Sequence, residues 1–276
     1  MEIWQAIVLG IVEGITEFLP ISSTGHLTIA EKLMDLPIDD PAVTAFTAVI
    51  QVGAIAAVLV YFAKDIGRLG AAWFKGLFSA SGRENPDYRL AWYVIAGSLP
   101  ICVVGILGKD VIKGPLRSLW FVAGALLVWS AVMAFAEYAA TKQRHEADLT
   151  LKDTLIIGLA QCLALIPGVS RSGATITVGL LRDLDRVTAT RLAFFLGVPA
   201  LTAAGIYELP DALEGDKVGI SALVIGTVVS FIVAYASIAW LLKFVAHHTM
   251  MLFVWYRVVL GSLIIVLLAT GVVSAT

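Results

Sequence analysis

Charge is scarce in this chain. Of its 276 residues 14% are Asp, Glu, Lys or Arg and 59% are hydrophobic, whereas a soluble globular domain is about a quarter charged and about half apolar. With a mean hydropathy of +0.90, this deficit excludes an ordinary soluble enzyme and leaves an integral membrane protein that one domain, 1–276, suffices to hold. The net charge of −2 gives no footing for nucleic acid. Cysteine is almost missing: Cys102 and Cys162 both lie in apolar surroundings, which argues against a disulfide framework and for two small core residues. No Cys/His spacing of a metal site occurs, nor a Walker loop, nor a dinucleotide fingerprint. The N-terminus has no basic region and sets Glu13 and Glu17 inside its apolar run, so it does not read as a cleaved signal peptide.

What is present is a series of apolar runs, two of them interrupted. Residues 3–19 are too short and too polar for a comfortable span of about 20 apolar residues. The run breaks at Pro20 and resumes after Ser22-Ser23-Thr24-Gly25. That pattern predicts a helix–break–helix that enters the membrane and returns on the same side, a backbone tolerated where protein or water covers it. Three spans follow, at about 43–62, 91–108 and 118–137. Residues 154–180 then form a second interrupted run, broken by Pro167-Gly168 and by Ser170-Arg171-Ser172-Gly173. Three more spans fall at about 192–208, 218–242 and 252–273. The expected fold is all-α, with about six transmembrane helices and two re-entrant helix pairs.

The order restarts, which marks an internal repeat of about 1–140 and 150–276. A shift of 148 sets Gly10 on Gly158, Glu13 on Gln161, Ser22 on Ser170, Thr24 on Ser172, Gly25 on Gly173 and Phe46 on Phe194. Lys and Arg in the loops give the orientation. Loops 63–90, 138–153, 181–191 and 243–251 hold twelve, and the opposite loops 31–41, 109–117 and 209–217 hold five. With the richer set in the cytoplasm, both termini lie outside and the halves become inverted-topology repeats. That architecture places sites near the midplane, where broken helices converge.

The chemistry-bearing residues gather at the two breaks. Glu13 and Glu17, four apart, share one helix face, and two carboxylates in low dielectric need compensation. A divalent cation, Mg2+ or Ca2+, suits such oxygen ligands; Arg171 or a shared proton are the alternatives. Ser22, Ser23 and Thr24 follow the break, placed to cap the next half-helix or to supply a nucleophile with Glu13, Glu17 or His26 as base. Arg171 offers a bidentate fork for phosphate oxygens, with an ion pair to Glu13 or Glu17 as its bland role. The glycines and the helix start around 168–173 favour an anion. Gln51 and Gln161 are expected to hydrogen-bond between helices. Arg257, at the start of the last span, is expected to snorkel to the interface. Together these features describe one site for an anionic, phosphorylated lipid.

The stretch Glu13-Gly-Ile-Thr-Glu17-Phe-Leu-Pro-Ile-Ser-Ser-Thr-Gly-His26, with Pro167-Gly-Val-Ser-Arg-Ser-Gly-Ala-Thr175, resembles the motifs of the undecaprenyl pyrophosphate phosphatases, also called bacitracin-resistance proteins. The resemblance covers essentially the whole chain. It implies a multi-pass enzyme of the bacterial plasma (inner) membrane that hydrolyses undecaprenyl pyrophosphate to undecaprenyl phosphate and so recycles the cell-wall lipid carrier. It also implies a site facing the exterior, a divalent cation held near Glu13 and Glu17, and a homodimer. Carried over by motif, Glu13 and Glu17 match the acidic pair, Ser23 the nucleophile, His26 the motif histidine and Arg171 the phosphate-binding arginine. Ser22, Ser170, Ser172, Gly173 and Thr175 match the supporting residues of the substrate site. The rival reading is a transporter of a polyprenyl phosphate, because inverted repeats and broken helices also build secondary transporters.

Overall fold

A computed structural model describes residues 1–37, 40–108, 118–214, 219–271 and 273. The expected polar loop 109–117, residues 215–217 of the loop expected at 209–217, Asp39, and the side chains of Asp211 and Glu214 lie outside the described residues, while 209–214, expected as loop, continue a helix. The described chain is helical, with one isolated bridge between Arg144 and Leu184 and no strand. It is an all-α integral membrane protein. Among the described residues five helices are long and apolar enough to cross a bilayer: Ala42–Tyr61, Pro86–Leu107, Leu119–Ala139, Ile220–His247 and Met251–Ala269. The fourth expected span, at about 192–208, falls within the 29-residue helix Arg186–Glu214. Charges at both ends of that helix, Arg186 and Arg191 at one and Glu208, Asp211 and Glu214 at the other, make it less apolar than its neighbours.

Both interrupted runs form as expected. The first comprises α1 (Ile3–Thr16) and α2 (Ser23–Leu33), separated by a turn at Pro20. Next come α3 (Pro41–Tyr61), α4 (Ala63–Phe78), α5 (Ala80–Arg83), α6 (Pro86–Leu107) and α7 (Leu119–Ala139). The second run comprises α8 (Leu151–Gln161), one 3-10 turn at Cys162–Leu165, and α9 (Arg171–Leu181). The chain closes with α10 (Arg186–Glu214), α11 (Ile220–His247) and α12 (Met251–Ala269). Starts are set locally. Asp40 accepts the Ala42 N–H with Pro41 in the first turn, Asn85 accepts the Asp87 N–H beside Pro86, and Thr150 with Asp153 forms a capping box. The basic stretch 63–90, expected as a loop, contains α4, which turns Leu69, Ala72 and Gly76 inward and Phe74 and Phe78 outward. Such a helix suits the membrane interface.

Packing follows the same order in each half. α1 packs on α11 and α8 packs on α6; α3 meets α10, and α7 meets α12. Small residues make the first two contacts close. A Cβ at Gly10 would lie 2.6 Å from the Gly226 carbonyl, and one at Gly158 would lie 2.0 Å from that of Gly97. In lipid, where apolar side chains gain nothing by leaving solvent, backbone approach of this kind is what associates helices. Both cysteines are free and half-buried.

At the Lys/Arg-rich end six of the twelve loop cations form ion pairs with described residues. Asp153 receives Arg144 at 2.6 Å and Arg182 at 2.8 Å. Glu137 receives Arg186, Lys142 and the backbone N–H of Met250. Arg191 joins Asp65 and Glu146. These pairs tie the loops of one half to those of the other and hold the α8–α9 pair by its base.

Gly158→Val tests the close contact. Its neighbour is backbone, so the helices must separate, at a cost of about 1–3 kcal/mol. The expected result is a clearly lower melting temperature of purified protein in detergent. Gly67→Ala, where nothing lies within 4 Å, should melt as the parent does.

Candidate active site

The two breaks meet in the interior. α1 ends at Thr16 and continues as one further helical residue, Glu17, so Glu13 and Glu17 point from adjacent turns of one face. Both are buried, at 1% and 5% exposure, and Glu13 lies within Coulombic reach of Glu17 and Arg171. After the turn, Ser22 adopts φ +76° and α2 begins at Ser23. In the second half Ser170 adopts φ +77° and α9 begins at Arg171. A left-handed serine is uncommon, and a strained residue of this kind costs about 1–3 kcal/mol. Its recurrence at two positions 148 apart gives both breaks one conformation, and sets Ser23 and Arg171 at the same place in each half.

These residues touch. The Ser23 hydroxyl donates to Glu17 Oε2 at 2.8 Å. Arg171 Nη2 donates to Glu17 Oε1 at 3.3 Å, and its Nη1 to the Ala193 carbonyl at 3.0 Å. Glu17 therefore has one oxygen on the hydroxyl and one on the guanidinium. Two groups keep unmatched capacity: Glu13 Oε1 and Arg171 Nε are buried with no hydrogen-bond partner among the described residues.

His26 is held elsewhere. Its Nδ1 lies 2.7 Å from the Ser22 carbonyl and its Nε2 lies 2.7 Å from the Tyr256 hydroxyl. A carbonyl can only accept, so Nδ1 carries the proton and a neutral ring accepts the tyrosine O–H at Nε2. Neither nitrogen bonds to Ser23.

The supporting hydroxyls are used internally. Ser172 donates to the Leu19 carbonyl at 3.0 Å, tying the second break to the first. With that proton committed, the 3.1 Å contact between Ser170 and Ser172 runs from Ser170 Oγ to Ser172 Oγ. Ser170 also caps α9 by accepting the Gly173 N–H, whereas Ser22, placed in sequence to cap, makes no such side-chain cap on α2. Thr175 donates to the carbonyls of Arg171 and Ser172 within its own helix. A cavity of about 40 Å³ adjoins the breaks, bordered by Thr24, Thr28, Glu31, Thr44, Thr47 and Pro167. It is large enough for a water molecule or two.

Two expectations fail. Arg257 does not snorkel: it is fully buried, because α12 turns it toward the breaks, where carbonyl oxygens receive it. Gln161 does not bond between helices: both its side-chain polar atoms are buried without a partner among the described residues. Three contributors carry no signal of their role in sequence. Tyr256, beside Arg257 near the start of the last span, reaches His26. The Ala193 carbonyl has no side-chain signal at all. Gly197 leaves the space that the guanidinium fills, since a Cβ there would lie 2.0 Å from Arg171 Nη1; nothing distinguishes it in sequence from the other glycines.

Among the described residues no group of three or more His, Cys, Asp or Glu converges as a ready metal cage. The two-carboxylate cluster nonetheless has the donor chemistry for a hard divalent ion, and Glu13 Oε1 is an oxygen with no other engagement.

Fold and site together define a polytopic membrane protein with a buried hydroxyl–carboxylate–guanidinium cluster between two broken helices. The family model described as Bacitracin resistance protein BacA matches residues 6–263, and the chain belongs to that family. It is 58% identical over its full length to "Undecaprenyl-diphosphatase 3" of Frankia casuarinae, all of which is covered. It is 59% identical to "Undecaprenyl-diphosphatase 1" of Streptomyces coelicolor, over 100% of this chain and 99% of the relative. It is 51% identical to "Undecaprenyl-diphosphatase" of Mycolicibacterium gilvum, over 98% of each.

Gly197→Ala separates site from scaffold. The added methyl meets the tip of a flexible side chain rather than backbone, so the guanidinium moves and the helices stay. The expected melting temperature is within a few degrees of the parent. Affinity for inorganic pyrophosphate, measured by titration calorimetry, should fall at least about tenfold, as expected for one charge-assisted hydrogen bond.

Proposed function

We propose that this protein hydrolyses undecaprenyl pyrophosphate to undecaprenyl phosphate and inorganic phosphate. Membership in the bacitracin-resistance family and the names of its relatives support this reading. The observation that carries it in the site is the two-handed Glu17, with Ser23 on one oxygen and Arg171 on the other. That is a nucleophile, a base within hydrogen-bond reach, and a group that orients the base.

The mechanism follows from those contacts. Arg171 leaves its ion pair in part to take phosphate oxygens of the headgroup, with Nε already free. Ser23 Oγ attacks the terminal phosphorus, and its proton passes to Glu17. The bond between the terminal phosphorus and the bridging oxygen breaks, and undecaprenyl phosphate leaves. Glu17 releases that proton to solvent; water then attacks the phosphoserine, and Glu17 takes one water proton and returns it to Ser23 Oγ as inorganic phosphate departs. Most of the barrier is lowered by positioning and by charge placed at the phosphoryl oxygens. Direct attack by water held at Glu17 is the competing route. His26, engaged at both nitrogens, orients the α2 start through the Ser22 carbonyl rather than serving as base. A divalent cation held by Glu13 and Glu17 would supply charge neutralisation at the phosphate oxygens.

The same reading extends to setting. The chain is one membrane domain of two inverted repeats, sits in the bacterial plasma membrane, and opens its site to the exterior, as the twelve-to-five distribution of loop cations supports. The polyprenyl tail lies against lipid-facing helices while the headgroup enters between the breaks. A homodimer fits this family reading. The relatives' names describe a phosphatase and none a carrier.

Phosphate release from a long-chain prenyl pyrophosphate by purified protein in detergent tests the proposal. With Mg2+ or Ca2+ present, Glu17→Gln should lower kcat at least about a hundredfold, the usual worth of a general base. Arg171→Lys should lose most activity, because a point charge does not reproduce a fork. Ser23→Ala with full activity would shift the mechanism to direct water attack. No release by well-folded parent protein under either cation would end the hydrolase reading.

A further inference from the structure

Arg257 is the largest fully buried side chain of the protein, at 0% exposure. Among the described residues it is hydrogen-bonded to no carboxylate. Its partners are oxygens of other kinds: Ser130 Oγ at 3.3 Å from Nε, the Pro20 carbonyl at 3.2 Å from Nη1, and the carbonyls of Gly168 at 2.8 Å and Leu126 at 3.5 Å from Nη2. Ser130 in turn donates to Leu126 at 2.6 Å, so α7 fixes one edge of the guanidinium. The other edge holds the two breaks.

The two break carbonyls are equivalent. Gly168 lies 148 residues after Pro20, the same shift that relates Ser22 to Ser170 and Ser23 to Arg171. Pro20 stands three residues before Ser23, and Gly168 three residues before Arg171. One planar, five-donor group therefore spans the junction of the halves and binds the same peptide oxygen in each. Among the described residues no other side chain joins these carbonyls, which a helix break has released from backbone pairing. Gly168 could not be replaced to tighten this junction, since its φ is +101° and a Cβ would lie 2.5 Å from the Val122 carbonyl.

We propose that Arg257 is a positioning residue that sets the separation between the attacking hydroxyl of Ser23 and the phosphate-binding fork of Arg171. The inference rests on the hydrolase reading above for its chemical consequence, but its structural content is independent. Arg257 does not bond to Ser23, Glu17 or Arg171, so it acts through the backbone of both breaks. Displacement of a reacting group by about 1 Å can cost on the order of a hundredfold in rate. Lysine keeps the charge but carries its donors on one nitrogen, and cannot hold two separated carbonyls together with Ser130.

Arg257→Lys is the test, with turnover expressed per folded protein, as judged by monodispersity and melting temperature. The expected result is a kcat lower by about tenfold to a hundredfold with KM changed less than about threefold. A role in folding alone would lower the yield and leave kcat per folded molecule unchanged, and that outcome overturns the proposal. Backbone hydrogen exchange over 19–25 and 167–173, followed by mass spectrometry, is the second readout. Faster exchange in both breaks together supports the clamp, even should the parent protein prove inactive and the hydrolase reading fall. Unchanged exchange in both overturns it. Should Arg257→Lys not accumulate, Ser130→Ala releases Nε while keeping the charge. It should lower kcat by about threefold to tenfold and loosen both breaks, and a variant indistinguishable from the parent in both readouts overturns the proposal.

Discussion

A helix that stops inside a bilayer must find hydrogen bonds for the peptide groups it sets free, because lipid offers none. That constraint shapes the centre of this protein. Leu19, Pro20 and Gly168 expose carbonyls where α1 and α8 have ended, and Ile21 N–H, Ser172 and Arg257 take them. Beyond the local Ile21 N–H, the polar groups required to make broken backbone tolerable are thus supplied by the opposite half or by α12. Each half depends on the rest of the molecule for its own completion, and the site is the place where that dependence is met.

Close helix packing makes the arrangement possible at the required scale. The glycines of α1 and α8 let these short helices lie against α11 and α6 at backbone distance, and this draws the two breaks toward a common centre. There, residues 154 apart in sequence share a hydrogen bond, Arg171 to Glu17. At the Lys/Arg-rich end, the pairs around Asp153 and Glu137 hold the base of the second interrupted helix pair to the neighbouring loops. A rigid base and a close-packed wall leave the helix starts at Ser23 and Arg171 little freedom to drift.

Much of this was legible from the chain itself. Long apolar runs announce their helices because bilayer thickness and composition leave few alternatives. Pro20 and Pro167-Gly168 announce the breaks because proline and glycine interrupt helices for local reasons. Carboxylates and an arginine in apolar surroundings announce a site because they are expensive there. What stayed hidden depends on tertiary direction. Arg257 lies one residue beyond Tyr256 near a span end, where snorkelling is the ordinary outcome; only the packing of α12 on α7 turns it inward. The Ala193 carbonyl and the room left by Gly197 are properties of a surface on α10, and no residue type encodes them. Gln161, which the repeat aligns with Glu13, is buried as Glu13 is, with neither side-chain polar atom hydrogen-bonded among the described residues, and the pattern of spans gives no hint of that.

The equivalence of Ser23 and Arg171 has a further meaning. Two like halves folded around one axis would make a cradle with interchangeable ends, and a molecule carrying two linked phosphates could lie in it either way round. Here the corresponding ends differ: one offers an oxygen backed by a carboxylate, the other a fixed positive charge. The cradle therefore has a direction. On the mechanism proposed above, a headgroup that enters it would be read from its free end toward its lipid-bound end, and two breaks of like conformation would act on their guest as an object with a head and a tail.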